Sequence, residues 1–251
     1  MIDLRTYDGI AVVTIAQGKA NALDIDLCEA LVKCFQELRA SDVRAVVITG
    51  RGRMCSAGVD LVRVSLGGAD YVRKLLPILN RAFNAVFFLP KPVVAAVNGH
   101  AIAGGCVLTC CADRRLMARG GGRIGVTELL VGVPFTALAF EIVRAALPAR
   151  HLTEFTLGGA TYDADEALGL GWVDEISEPN SLMENALAAA RRLASLPPFA
   201  FVQTKKQMRQ PVVERLERSG AANDKIAIEI WAAAETLDHI RNYVARTLKK
   251  A

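Results

Sequence analysis

Short β-branched runs alternate with stretches of helical period through the first hundred residues, and this alternation restricts the chain's fold more than any other feature. Residues 9–15 (Gly-Ile-Ala-Val-Val-Thr-Ile) form one such run. Residues 22–40 then carry Leu23, Leu27, Leu31, Phe35 and Leu38 at spacings of three and four, which is the pattern of an amphipathic helix. A second run, residues 43–49, is closed by Gly50 and Gly52. Residues 70–89 read as helix again and stop at Pro90 and Pro92. A third strand, residues 93–97, ends at Asn98-Gly99, and residues 102–111 read as a helix opening on Gly104-Gly105. Strands separated by helices require crossover connections, so an α/β class of stacked ββα or βαβ turns is expected. No period of self-similar sequence marks a repeat array.

Pro197-Pro198 divides the chain. Residues 1–197 are expected to form the α/β core, and residues 198–251 a helical C-terminal region. Within that region residues 202–250 are nearly all helical in pattern, with Ile226, Ile230, Ala233 and Leu237 as an apolar stripe. The stripe must pack on the chain's own core or on a neighbouring subunit. With 251 residues, 52% hydrophobic and 22% charged, the chain can bury a sizeable core.

The net charge of +4 is spread thinly, with only short basic pairs at Lys205-Lys206 and Lys249-Lys250. These read as a solvated face, so no nucleic-acid partner is expected. Cys28, Cys34, Cys55, Cys106, Cys110 and Cys111 fit no zinc spacing and read as buried thiols of a reducing compartment. No apolar stretch follows a basic start at the N-terminus, and no apolar run is long enough to span a bilayer. A cytoplasmic location without a membrane partner is expected.

Three segments rich in small residues follow apolar runs: Lys19-Ala20-Asn21-Ala22-Leu23, residues 54–61 (Met-Cys-Ser-Ala-Gly-Val-Asp-Leu) and residues 98–106 (Asn-Gly-His-Ala-Ile-Ala-Gly-Gly-Cys). A glycine-rich strand-to-helix junction lets a ligand approach the backbone and leaves first-turn N–H groups unpaired. Two such junctions facing each other would hold a developing negative charge without any charged side chain.

As a set, these segments resemble the crotonase (enoyl-CoA hydratase/isomerase) superfamily. The resemblance extends through residues 91–99 and ends at residues 161–173 (Thr-Tyr-Asp-Ala-Asp-Glu-Ala-Leu-Gly-Leu-Gly-Trp-Val). It implies a crotonase-like spiral of ββα units with a C-terminal helical region, assembled as a homotrimer or a dimer of trimers. It implies an acyl-CoA thioester substrate and no separate cofactor, coenzyme A being part of the substrate. The oxyanion donors it implies are the N–H groups of Val59 and Gly104. The CoA moiety would lie along Lys19, Ala20, Ala22, Ser56, Ala57, Gly58, Asp60 and Leu61, with Lys19 near phosphate.

Family hydratases carry one glutamate directly after the Gly-Gly-Cys segment, where this chain has Val107. A second family glutamate, about twenty residues on, matches Glu128. A carboxylate flanked by Leu129, Leu130 and Val131 would be desolvated, which raises its pKa toward that of a base working near neutrality. One carboxylate suits a one-base proton shuttle, as in the family's Δ3–Δ2 enoyl-CoA isomerases. The family's dienoyl-CoA isomerases use an extra aspartate eight residues further on, where this chain has Thr136. A hydratase, related lyase or hydrolase, and a non-catalytic acyl-CoA-binding protein are the alternatives.

Among the other candidates, Glu141 is expected on a helix surface and His100 in a packed position. His151 and His239 are expected to be structural or exposed, and Asp60 to serve as a helix cap as well. The Gly120-Gly121-Gly122 run reads as a turn, since no phosphate-loop Lys-Ser/Thr follows it. No Ser/His/Asp set and no metal-ligand cluster can be assembled. Chain-length selection is expected from residues 66–88 and 135–147.

Overall fold

A computed structural model describes residues 1–247. The chain opens with β1 (Ile2–Tyr7), β2 (Ile10–Ile15) and α1 (Ile25–Ala40). Then come β3 (Ala45–Gly50), β4 (Met54–Ser56), α2 (Leu61–Phe87), β5 (Val93–Val97), β6 (His100–Ile102) and α3 (Gly104–Cys110). Next are β7 (Arg114–Ala118), β8 (Ile124–Gly125), α4 (Glu128–Val131), α5 (Ala137–Ala146), α6 (Leu152–Gly158) and α7 (Ala164–Leu170). The run ends with β9 (Glu175–Ser177), α8 (Leu182–Ala194), α9 (Pro198–Ala232) and α10 (Ala234–Thr247).

Three successive ββα units, β3-β4-α2, β5-β6-α3 and β7-β8-α4, each send one strand to each of two sheets. The larger sheet has the order β1-β2-β3-β5-β7-β9, parallel except for the β1–β2 pair, and the smaller has the order β4-β6-β8. This is the expected spiral. Helices cover both faces of the larger sheet, which is why β3 and β5 are buried at every position. Val46, Ile48, Val93 and Ala95 face the main core. Alternate residues Val47, Val94 and Ala96 pack under Ala186 and Ala190 of α8.

Several boundaries depart from expectation. The helix expected at 70–89 begins at Leu61, where Asp60 caps it by accepting from the N–H groups of Val62 and Arg63. Its early part is masked in the sequence by Gly68, which has φ +60° and breaks the helix just before residue 70. The helix expected at 102–111 is preceded by a three-residue strand, β6. In the C-terminal region Ala233 leaves helical geometry and separates α9 from α10, while residues 248–250 of the expected helix, with Lys249-Lys250, lie outside the described residues.

The apolar stripe is also displaced. Of its members Leu237 is buried, but Ile226, Ile230 and Ala233 are exposed, and Ala227, Trp231 and Ile240 are buried instead. The C-terminal helices pack on their own chain, α9 against α2 and α5 and α10 against α2. Lys205 is not on a solvated face: it is buried, with Nζ 2.6 Å from Asp113 and 2.8 Å from the Lys91 carbonyl. Burial pushes its ammonium down to about 8 against the pull of Asp113. Arg209 takes the other Asp113 oxygen at 2.7 Å and stacks over Phe87, so α9 is pinned to the end of α2. All six cysteines are buried thiols. No helix among the described residues is long and apolar enough to cross a membrane.

Candidate active site

The three small-residue segments meet in space. Asn21 is fully buried with φ +48°, and its side-chain amide donates to the carbonyls of Arg51 and Met54. The Ala57 N–H donates to the Ala20 carbonyl at 3.0 Å, and Leu23 pairs with residue 59 in a single parallel bridge. In that bridge the Leu23 N–H donates to Gly58 O at 2.8 Å and the Asp60 N–H donates to Leu23 O at 3.0 Å. The pairing uses the peptide groups on either side of Val59 and leaves the Val59 N–H without an acceptor among the described residues.

Ala103 precedes α3 with φ +50° and ψ −126°, a backbone conformation that strains a residue with a side chain. Its own N–H is held by the Gly125 carbonyl at 2.9 Å. The next amide, that of Gly104, has no acceptor among the described residues. A methyl group on Gly104 would lie 3.7 Å from the Val59 nitrogen, so the two free amides flank one narrow gap. Gly105 lets the helix approach β4: a Cβ there would meet the Ser56 carbonyl oxygen at 2.2 Å.

Both amides open onto a cavity of about 430 Å3. Glu128, the first residue of α4, lines it too. This carboxyl is buried, and its Oε2 has no hydrogen-bond partner among the described residues. Burial raises its pKa from 4.5 to about 7, against the lowering pull of the Thr127 and Glu128 backbone N–H groups. Asp60 is the other carboxylate on the cavity wall, and its Oδ1 is occupied by the two N–H groups it caps. The walls are otherwise mostly apolar. Val107 is one of them, where a family hydratase would carry its first glutamate.

Comparison with known proteins identifies the family. Residues 5–247 match the enoyl-CoA hydratase/isomerase family profile. The chain belongs to that family. It is 31% identical over 229 residues to a protein of Mycobacterium tuberculosis named probable enoyl-CoA hydratase EchA17, covering 90% of this chain and 87% of that one. Among solved structures, the probable enoyl-CoA hydratase EchA3 of Mycobacterium tuberculosis superposes with a TM-score of 0.81 at 30% identity, covering 100% of this chain and 99% of that one. The human mitochondrial Δ3-Δ2-enoyl-CoA isomerase superposes with a TM-score of 0.94 over 99% of this chain and 98% of that one. At 21% identity that match speaks for the crotonase fold alone.

Of the residues expected at the CoA site, Ala20, Ala22, Ala57, Asp60 and Leu61 line the cavity with Val59, Gly104 and Glu128. Ser56 and Gly58 lie behind it, where Ser56 Oγ donates to the Asn21 carbonyl and accepts from the Gly58 N–H. Lys19 is exposed and outside the cavity lining. The surface expectation for Glu141 is corrected: it is buried and paired with Arg215 at 2.5 Å, because α9 covers that face of α5. It is not on the main cavity wall. His100 is half-buried in β6, and His239 is exposed over Gly132. Phe83, Trp231 and Tyr243 also line the cavity, and no motif marks them.

The Glu128 carboxyl binds its proton more tightly folded than unfolded. Its contribution to stability is therefore fully present below pH 4.5 and is lost as pH rises through about 7. At ~1.4 kcal/mol per unit, the buried carboxylate costs roughly 3 kcal/mol at pH 8. Glu128→Gln should therefore melt several degrees above wild type at pH 8, at roughly 2–4 °C per kcal/mol for a chain of this size. The gap should close near pH 4. Equal melting temperatures at pH 8 would mean that the carboxylate is solvated.

Proposed function

We propose that the chain is a Δ3–Δ2 enoyl-CoA isomerase with Glu128 as its single acid–base group. The observation that carries this reading is one desolvated carboxylate with an unpartnered oxygen, in a cavity whose other hydratase position is Val107. In this mechanism Glu128 removes a proton from C2 of a 3-enoyl thioester. The electron pair moves onto the thioester oxygen, which the N–H groups of Val59 and Gly104 hold as a dienolate. Glu128 then returns the proton to C4, giving the 2-enoyl product. A pKa near 7 lets the same group accept and release a proton near neutrality. The CoA moiety runs out past Leu61, Ala57, Ala22 and Ala20, and Lys19 lies at the surface end for phosphate. The C-terminal region, α9 and α10 among the described residues, serves as the oligomerisation region of a trimer or a dimer of trimers.

The test compares two rates in the wild-type enzyme: double-bond migration in 3-hexenoyl-CoA and hydration of crotonyl-CoA. Migration faster than hydration supports the isomerase. Hydration at a comparable rate supports the second reading, a hydratase, which the name of the EchA17 relative favours. Acyl-CoA binding without turnover of either substrate would indicate a binding protein.

Val107→Glu adds, beside Glu128 and the helix-capping Asp60, a further carboxylate to the same cavity. It is expected to raise crotonyl-CoA hydration at least tenfold while lowering isomerisation, as read by absorbance of the enoyl thioester. Unchanged hydration in a folded variant would show that position 107 does not decide between the two reactions.

A further inference from the structure

Phe135, in the loop between α4 and α5, lines three separate cavities. One is the main cavity. A second, of about 330 Å3, is lined by Leu129, Phe140, Leu152 and Leu157 with Thr153 and Thr156. The third, of about 220 Å3, carries the Glu141–Arg215 ion pair. We propose that Phe135 is the stop that sets acyl-chain length, and that the apolar second cavity is an annex able to take the tail of a longer chain. This rests on reading the main cavity as the acyl-CoA site.

Three observations support it. The main cavity, at about 430 Å3, lies toward the small end of ligand sites and must hold the reacting end of the thioester as well as the acyl group. The annex shares Pro134 and Phe135 with it, so a single side chain and one proline stand between two apolar spaces. Phe135 is held by a tilted contact with Phe140, ring centroids 6.0 Å apart, and aromatic contacts of this kind are weak individually. The third cavity is a poor route for an alkyl chain because its ion pair would lose solvent there. The Trp231 indole N–H donates to the Pro134 carbonyl at 2.8 Å, which fixes the backbone beside the stop while the Phe135 side chain stays free to be exchanged.

The substrate class that follows is short- to medium-chain enoyl thioesters, ending at Phe135. The experiment measures the affinities of hexanoyl-CoA and dodecanoyl-CoA by calorimetry for wild type, Phe135→Ala and Phe135→Ala/Leu152→Trp. The alanine variant should raise the preference for dodecanoyl-CoA over hexanoyl-CoA at least tenfold, and filling the annex with tryptophan should cancel the gain. If Phe135→Ala does not fold, Phe135→Leu should shift the preference in the same direction by about threefold. An unchanged preference overturns the inference and leaves the enzyme assignment standing. The inference also falls if Leu157→Asp dissociates an oligomer while Phe135→Ala keeps the wild-type preference, because a second copy then covers the annex. Failure of wild type to bind either thioester overturns both the inference and the acyl-CoA reading.

Discussion

Glu128→Gln is expected to lower turnover of 3-hexenoyl-CoA by about 10²–10⁴-fold, the usual contribution of a positioned acid–base group. The amide keeps the shape of the side chain and cannot take the C2 proton. Binding of a saturated acyl-CoA should survive, because the proposed oxyanion amides and the apolar walls are untouched. The wild-type rate should also depend on pH in a definite sense. Glu128 must be ionised to act, and burial holds its pKa at about 7. Turnover should therefore rise about tenfold per unit below pH 7 and flatten above pH 8. A profile flat from pH 5 to 9, or a glutamine variant as fast as wild type, would remove Glu128 from the mechanism.

The second large effect is expected at Gly58. With φ +79° it occupies a conformation that L residues rarely adopt. A Cβ there would lie 2.8 Å from the Ile102 carbonyl oxygen and 2.9 Å from the Gly104 nitrogen. Gly58→Ala therefore pushes a methyl group into the seam between the two donor segments. Losing one oxyanion donor from its position is expected to lower kcat by about 10²–10³-fold, with KM for 3-hexenoyl-CoA changing far less. A folded Gly58→Ala enzyme with wild-type kcat would show that the spacing of Val59 and Gly104 does not matter to the reaction. Gly104→Ala makes a useful contrast, since a methyl there has 3.4 Å to its nearest neighbour, Leu23 Cδ1, and leaves the N–H in place.

Local pattern makes β2, β3 and β5 legible and leaves the short strands, together with β1 and β7, hidden. β2, β3 and β5 are β-branched runs bounded by glycine, asparagine or proline, so their period and ends show in the sequence. β4, β6 and β8 have two or three residues each, too few to show any alternation, and β6 merges in sequence with the helix that follows it. β1 escapes because it is an edge strand with mostly exposed residues, its apolar–polar alternation confined to Ile2-Asp3-Leu4-Arg5. Glu128 stands out through its apolar flanks together with the family motif. Phe83, Trp231 and Tyr243 reach the same cavity from widely separated parts of the chain, and only tertiary packing brings them there. The C-terminal stripe is only partly as expected: Leu237 faces the core, but in α9 Ala227 and Trp231 do so in place of Ile226 and Ile230.

Val59 and Gly104 offer main-chain amides, and a main-chain amide is not encoded by the residue that bears it. Any codon change at position 59 other than one to proline still supplies an N–H there, provided the Leu23 bridge keeps its hydrogen bonds. Single mutations therefore rarely erase this part of the site. They readily alter the side chains around it, such as Val107, Glu128 or Thr136. On the proposed mechanism, the enolate-holding amides come with the fold, while the fate of the proton is open to change one side chain at a time.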